Sequence, residues 1–265
     1  MTGRIYYFTA TGNSIYIARQ IADRLGRAEL ISIPAAIGQT GADTPIDASA
    51  SVIGLVFPVY GWGMPRIVAE FVETLRLSRK QYVFAVATCG GTAATTLPQL
   101  QKQLRQKGTN LDAGFTVREG SVASANDPAI IRLVRGLNWK KPGTGQERLE
   151  EIVETVKARR KHRPESSALP SDLLGGLFHR GFPRMAKNSD QNLMIGEQCS
   201  LCGICVRVCP RGNITIEESR LVRHHNCEMC GACYQWCPKK AINLQKGEIH
   251  YYRHPEVKLK DILLR

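Results

Sequence analysis

Several things are scarce in this chain. No apolar run approaches the roughly 18 residues that a membrane span needs. The opening Met1-Thr-Gly-Arg-Ile-Tyr-Tyr-Phe8 lacks the charged, apolar and small-residue regions of a secretory leader, so a cytoplasmic protein is expected. Acidic residues are few, 23 against 36 Lys and Arg in 265 residues, which leaves a net charge of +13. Cysteine is almost absent from the first three quarters, where Cys89 stands alone. With 43% apolar residues the chain is neither disordered nor fibrous, and its length allows one or two packed domains.

The remaining eight of nine cysteines crowd between Cys199 and Cys237. In a reducing compartment such short regular spacings point to metal ligation, not to a disulfide framework. Basic charge is densest in the middle of the chain, at Lys157-Ala-Arg-Arg-Lys-His-Arg163. That run reads as a phosphate-binding stripe for nucleic acid or as the solvated end of a helix. The macrodipole and the following Pro164 favour the helix end.

Residues 1–163 alternate short apolar segments with amphipathic ones. Arg4 to Phe8, Glu29 to Ile33, Ser51 to Phe57, Tyr82 to Thr88 and Ala113 to Glu119 read as buried parallel strands. Between and after them Ala18, Ile21, Ala22 and Leu25 share a helical face, as do Ile67, Phe71 and Leu75, then Leu97, Leu100 and Leu104, then Leu149, Ile152, Val153 and Val156. Pro65 is placed to open the second of these helices. The pattern predicts an α/β domain with a doubly wound five-stranded parallel sheet and ligands at the carboxyl ends of its strands. Residues 164–191, rich in Pro, Ser, Gly and basic side chains, read as a linker or irregular connection. Residues 192–265 form a second, small α+β domain with a tail.

That second domain is a repeat. Cys199, Cys202, Gly203, Cys205, Cys209, Pro210 and Ile214 recur 28 residues later as Cys227, Cys230, Gly231, Cys233, Cys237, Pro238 and Ile242. Each unit reads C-x2-C-x2-C-x3-C-P, the bacterial iron–sulfur run whose fourth cysteine serves the other cluster. On that reading Cys199, Cys202, Cys205 and Cys237 hold one [4Fe-4S] cluster, and Cys227, Cys230, Cys233 and Cys209 hold the second. Neither unit completes a cluster alone, which accounts for the duplication. Gly203 and Gly231 let each loop approach inorganic sulfide. Zinc is the rival metal, but it gains nothing from four cysteines per unit followed by Pro. Ile214 and Ile216, with Ile242 and Leu244, are expected in strand pairs covering the clusters, and Trp236 as a shield. Residues 193–246 resemble the two-cluster bacterial ferredoxins, which implies one-electron transfer.

The first strand runs into Thr9-Ala10-Thr11-Gly12-Asn13-Ser14, opening a helix. Hydroxyls, a glycine and free N–H groups at a helix N-terminus cradle phosphate without a cation, although the same residues also cap helices for structural reasons. Neither G-x-G-x-x-G nor a P-loop is present. The third and fourth strands end in Pro58-Val59-Tyr60-Gly61-Trp62-Gly63 and Thr88-Cys89-Gly90-Gly91, where aromatics and glycines converge as around a flat ring. Together these segments resemble the flavodoxins, whose T-x-T-G-N-[ST] motif binds the FMN phosphate and whose next two loops enclose the isoalloxazine. The resemblance covers residues 3–160 and implies stacking by Tyr60 and Trp62, with a Gly61 peptide able to reorient. The fifth strand shows no long insertion, as in short-chain members. Cys89 has no neighbouring His or carboxylate and reads as structural or flavin-adjacent, with no catalytic residue assigned.

Over nearly its whole length the chain resembles the flavodoxin/ferredoxin fusion proteins of anaerobes. The implied function is an electron relay, converting between one-electron clusters and FMN and serving a redox protein partner that would be acidic. Two alternatives stand beside it: a flavoenzyme reducing a quinone, nitro compound or nicotinamide with the clusters as inlet, and a redox sensor using the basic run. No nucleic-acid fold motif supports the sensor. His179, His224, His225 and His254 are expected on the surface or in packing. The segment from His254 to Arg265 either docks on the flavin domain or contributes to a homodimer, and the sequence does not choose.

Overall fold

A computed structural model describes residues 2–26, 28–40, 45–120, 142–166, 169–244 and 249–264. Along the chain run β1 (Gly3–Tyr7), α1 (Asn13–Arg24), β2 (Glu29–Ser32), α2 (Ile33–Thr40), β3 (Ile46–Asp47), β4 (Val52–Pro58), α3 (Arg66–Thr74), β5 (Leu75–Arg76), β6 (Tyr82–Cys89), α4 (Thr96–Gln106), β7 (Ala113–Arg118) and α5 (Gly145–Lys157). There follow α6 (Leu169–Lys187), β8 (Leu193–Ile195), α7 (Ile204–Arg207), β9 (Ile214–Glu217), β10 (Arg220–Arg223), α8 (Ala232–Gln235) and β11 (Ile242–Leu244).

The main sheet has the order β2-β1-β4-β6-β7, all neighbours parallel. Each of the five expected strands is present within a residue or so of its expected ends. The period-2 alternation of strands divides the core in two. On one face Ile53, Leu55 and Phe57 of β4 and Val83, Ala85 and Ala87 of β6 meet Phe71 of α3 and Leu100 of α4. On the other, Val52, Val56, Phe84 and Val86 meet Ile17 and Ile21 of α1 and Ile152 and Val156 of α5. Helices therefore cover both faces, and the loops at the carboxyl ends of β1, β4 and β6 are left together at one edge. Pro65 stands just before α3, as its N-cap.

The cysteine-rich part is built on two short antiparallel pairs, β9 with β10 and β8 with β11. Ile214 and Ile242 lie on strands, and their partners, Arg223 and Ile195, are themselves 28 residues apart, so the strand pairs repeat along with the cysteines. The connection read as irregular differs most, since α6 occupies most of it and carries Pro183 inside the helix. Residues 121–141, on which the short-chain reading partly rests, lie outside those described. Among the described residues no helix is long and apolar enough to cross a membrane.

The basic run ends α5 and turns back onto the sheet, where the His162 N–H donates to Asp112 O and its ring stacks on Phe115. Glu165 fastens the outgoing chain. Arg148 donates to its two oxygens at 2.6 and 2.8 Å, and the Thr116 N–H and hydroxyl donate at 2.8 and 2.6 Å. Burial by itself would raise the Glu165 carboxyl, but these donors outweigh it and hold it below its ordinary value of 4.5. A lowered folded value gives stability that is present above the unfolded value and lost as pH falls through the folded one. Glu165→Gln is therefore expected to cost about 1–3 kcal/mol at neutral pH, the range for hydrogen bonds to a charged group. The gap between wild type and variant in urea midpoints should narrow as the pH falls from the ordinary glutamate value through the lowered folded one.

Candidate functional site

The turn Thr9–Ser14 follows β1 directly, and Gly12 is its pivot. Its φ of +104 lies in the left-handed region, and a Cβ there would stand 2.9 Å from the Val257 side chain and 3.0 Å from that of His254. No side chain caps the first turn of α1 and none there is acidic, so its N–H groups remain available to an anion. The Gly12 N–H meets Thr9 Oγ1 at 3.2 Å, and Ser14 Oγ is 2.8 Å from Thr88 Oγ1 across the buried gap to β6. Asn13 is committed at both ends of its amide: Nδ2 donates to Gly120 O at 2.7 Å, and Oδ1 accepts from the Tyr252 hydroxyl at 2.8 Å. Donors, hydroxyls and absent acids make this a set that fits a phosphate.

The Pro58–Gly63 loop is pinned by the paired N–H and C=O groups of Tyr60 and Gly63, each 3.0 Å from its partner. Tyr60 meets Phe8 edge-on at 5.9 Å and packs into the larger core, with Cys230 beside that core. Trp62 has a φ of +60 and its ring meets Phe178 of α6 at 5.0 Å. His179 Nδ1 lies 3.2 Å from Gly61 O, which suits the Nδ1–H tautomer, and burial pushes the imidazole's pKa down. Any Cβ at Gly61 or Gly63 would run into Phe182 or His179 at 2.3 Å. Helix α6 thus covers the outer side of this loop. The facing loop is more open: a Cβ on Gly91 would meet nothing within 4 Å. Cys89 is buried, its thiol 3.6 Å from Gly91 O, and burial pushes it up to about 12, so it is protonated at neutral pH.

The two cysteine units repeat in backbone geometry as well as in sequence. Leu201 and Met229 share a φ of +53, Gly203 and Gly231 lie at +74 and +75, and each glycine starts a four-residue helix. Backbone N–H groups donate to sulfur at equivalent places, Asn213 to Cys209 and Ala241 to Cys237, both at 3.2 Å. Such donors favour a thiolate. Cys199, Cys202, Cys205 and Cys237 line one small cavity together with Leu201, Gly203 and Leu221. Cys209 lies instead within electrostatic reach of Cys227, Cys230 and Cys233. Among the described residues no three His, Cys, Asp or Glu side chains are grouped as ligands of a single ion.

The cysteine units and the flavin-type loops touch. Trp236 is buried and donates from Nε1 to Ala10 O at 2.7 Å, so it links the two parts in addition to lying beside Cys237. Glu228, between Cys227 and Met229, accepts from the Ile67 N–H at the start of α3 at 3.3 Å. Burial raises its carboxyl to about 7 against the pull of Arg211. The tail docks on the flavin-type domain: His254 N–H donates to Thr11 O at 2.8 Å, His254 stacks on Tyr16, and Arg19 pairs with Asp261 at 2.8 Å. Of these contributors, Tyr252, Glu228, Phe178 and Phe182 carry no local motif.

Gly12→Ala forces a side chain into a left-handed φ and into the tail. Stability should fall by about 1–3 kcal/mol, strain and displaced packing together. Gly26→Ala is the control, because its φ of +83 is similar but a Cβ there meets nothing within 4 Å. In thermal unfolding it should show the smaller loss, that of backbone strain alone.

Residues 4–126 match the family model of a flavodoxin domain, and residues 198–241 that of a 4Fe-4S dicluster domain. No curated protein sequence matches the chain. Among solved structures it is similar to a short-chain flavodoxin associated with a bacterial microcompartment, at 14% identity over 60% of this chain and 98% of that one, with a TM-score of 0.40. It is also similar to two-electron-reduced Megasphaera elsdenii flavodoxin, at 17% identity, 44% and 85% coverage and a TM-score of 0.35. A third is rubredoxin oxygen:oxidoreductase of the anaerobe Desulfovibrio gigas, at 14% identity, 60% and 36% coverage and a TM-score of 0.38. The chain therefore joins a flavodoxin domain, which implies FMN, to a 4Fe-4S dicluster domain, which implies iron–sulfur clusters, a pairing suited to electron transfer.

Proposed function

We propose that this protein relays electrons between two [4Fe-4S] clusters and FMN and passes them to or from a redox protein partner. The observation that carries the reading is the direct packing of the second cysteine unit on the flavin-type loops, with Cys230 beside the core that holds Tyr60 and Trp236 bonded to Ala10. Cofactors held on either side of that contact need no diffusing carrier between them. FMN exchanges one or two electrons and each cluster exchanges one, so the pair converts between the two kinds of donor.

In this reading the Thr9–Ser14 turn holds the FMN phosphate by N–H groups and hydroxyls, and the loops Pro58–Gly63 and Thr88–Gly91 flank its ring. The cavity shared by Cys199, Cys202, Cys205 and Cys237 supports them as one ligand set, and the proximity of Cys209 to Cys227, Cys230 and Cys233 supports the other. The units would be 1–163 for FMN and 192–265 for the clusters, with 164–191 connecting them through α6. The net charge of +13 suits an acidic partner.

An anaerobic reductive titration followed by absorbance, with iron, sulfide and released FMN counted on the same sample, tests the reading. About eight irons and about one FMN per chain are expected, with flavin and cluster bands bleaching in linked order. Clusters without flavin, or flavin bands that ignore the state of the clusters, would remove the relay.

A further inference from the structure

The turn that would take the FMN phosphate is held from outside by the other end of the chain. Two consecutive peptide carbonyls, Ala10 O and Thr11 O, accept hydrogen bonds from the Trp236 indole at 2.7 Å and the His254 N–H at 2.8 Å. In a trans peptide the C=O and the following N–H point in opposite directions. Fixing Ala10 O therefore directs the Thr11 N–H to the opposite side of the turn, and fixing Thr11 O does the same for the Gly12 N–H. The Gly12 N–H does face that way, toward Thr9 Oγ1 at 3.2 Å. A third anchor, the Tyr252 hydroxyl, holds Asn13 Oδ1 and so keeps an acceptor oxygen turned away from the start of α1.

We propose that Trp236, Tyr252 and His254 are positioning residues of the flavin phosphate site: the iron–sulfur unit and its tail hold the Ala10 and Thr11 peptide planes and the Asn13 side chain so that the donors of the turn converge on the phosphate. Tight FMN retention is then a property of the whole chain. This rests on the reading of the turn as the FMN phosphate site. The physical basis is preorganisation. Gly12 permits many backbone conformations, and without the outside donors the turn must be ordered at the moment the ligand binds. Ala10 and Trp236 are both buried, so water is poorly placed to replace a lost donor.

The test uses the full chain with its iron–sulfur complement, freed of flavin and titrated with FMN and, separately, with riboflavin, which lacks the phosphate. Tyr252→Phe removes only a hydroxyl and Trp236→Phe only the indole N–H and its ring. Each is expected to weaken FMN about two- to tenfold, the worth of one hydrogen bond, and to leave riboflavin unchanged. Iron and sulfide per chain are counted alongside. Should Trp236→Phe lose iron, Tyr252→Phe decides, being remote from the cysteines in sequence. Unchanged FMN affinity in Tyr252→Phe, or equal weakening of FMN and riboflavin, overturns the inference. A wild-type chain that binds neither flavin overturns the underlying reading instead.

Discussion

The docking of the second cysteine unit on the carboxyl edge of the sheet is the contact on which the rest of the architecture depends. It builds a core that no part of the chain could close alone: Ala10 and Ile15 come from the flavodoxin domain, Val208, Ala232 and Trp236 from the cysteine units, and Val257 and Ile262 from the tail. Separated, each part would expose an apolar patch. Polar anchors fix the register of the contact. Arg66 donates to Asn226 Oδ1 at 2.7 Å, and Glu228 reaches the first turn of α3. The Glu228 position is costly, because a carboxyl is taken out of water, and the helix N-terminus offsets part of that cost. Trp236 and Glu228 thus fix the second cysteine unit at two points, the Ala10 carbonyl and the start of α3.

What could be read from the sequence was local. Five apolar segments with turns between them are enough to specify a parallel sheet, and Thr9–Ser14 runs from just beyond β1 into the first turn of α1. The 28-residue repeat likewise announces itself, because ligand spacing is a property of neighbours in the chain. Helix α6 was hidden by its own residues. Pro170, Pro183, Gly175, Gly176 and Gly181 all disfavour a helix. The helix forms nonetheless, with Phe178, His179 and Phe182 packed on the Tyr60–Gly63 loop, a partner more than 100 residues away. Tertiary packing overrides local propensity here.

The tail was illegible for a related reason. It has no helical or strand period, so nothing in residues 249–264 signals what it covers, yet three of its polar anchors, Tyr252, His254 and Asp261, are matched by Asn13, Thr11 and Arg19 near the chain's beginning. Tyr252 to Asn13 spans 239 residues and Arg19 to Asp261 spans 242. Such pairings carry a large loop-closure cost and no local signature. The shape of Gly12 records them indirectly, since the space its missing Cβ leaves is the space His254 and Val257 fill.

The repeat also shows how one local design yields two unlike environments. The loops match in φ, in helix start and in N–H to sulfur bonds, so sequence and backbone alone would make the two ligand sets equivalent. Docking breaks that equivalence. Cys202 is exposed, whereas its counterpart Cys230 is packed between two core clusters, beside Tyr60 on one side and Ala232 and Trp236 on the other. Burial and hydrogen bonding are the terms that move cluster potentials across their wide range. A difference in potential between the two sets therefore does not have to be written into the cysteine motifs. On the proposed two-cluster reading it would follow from which copy faces the flavodoxin domain and which faces solvent, with Tyr60, Trp236 and Glu228 at the docking contact.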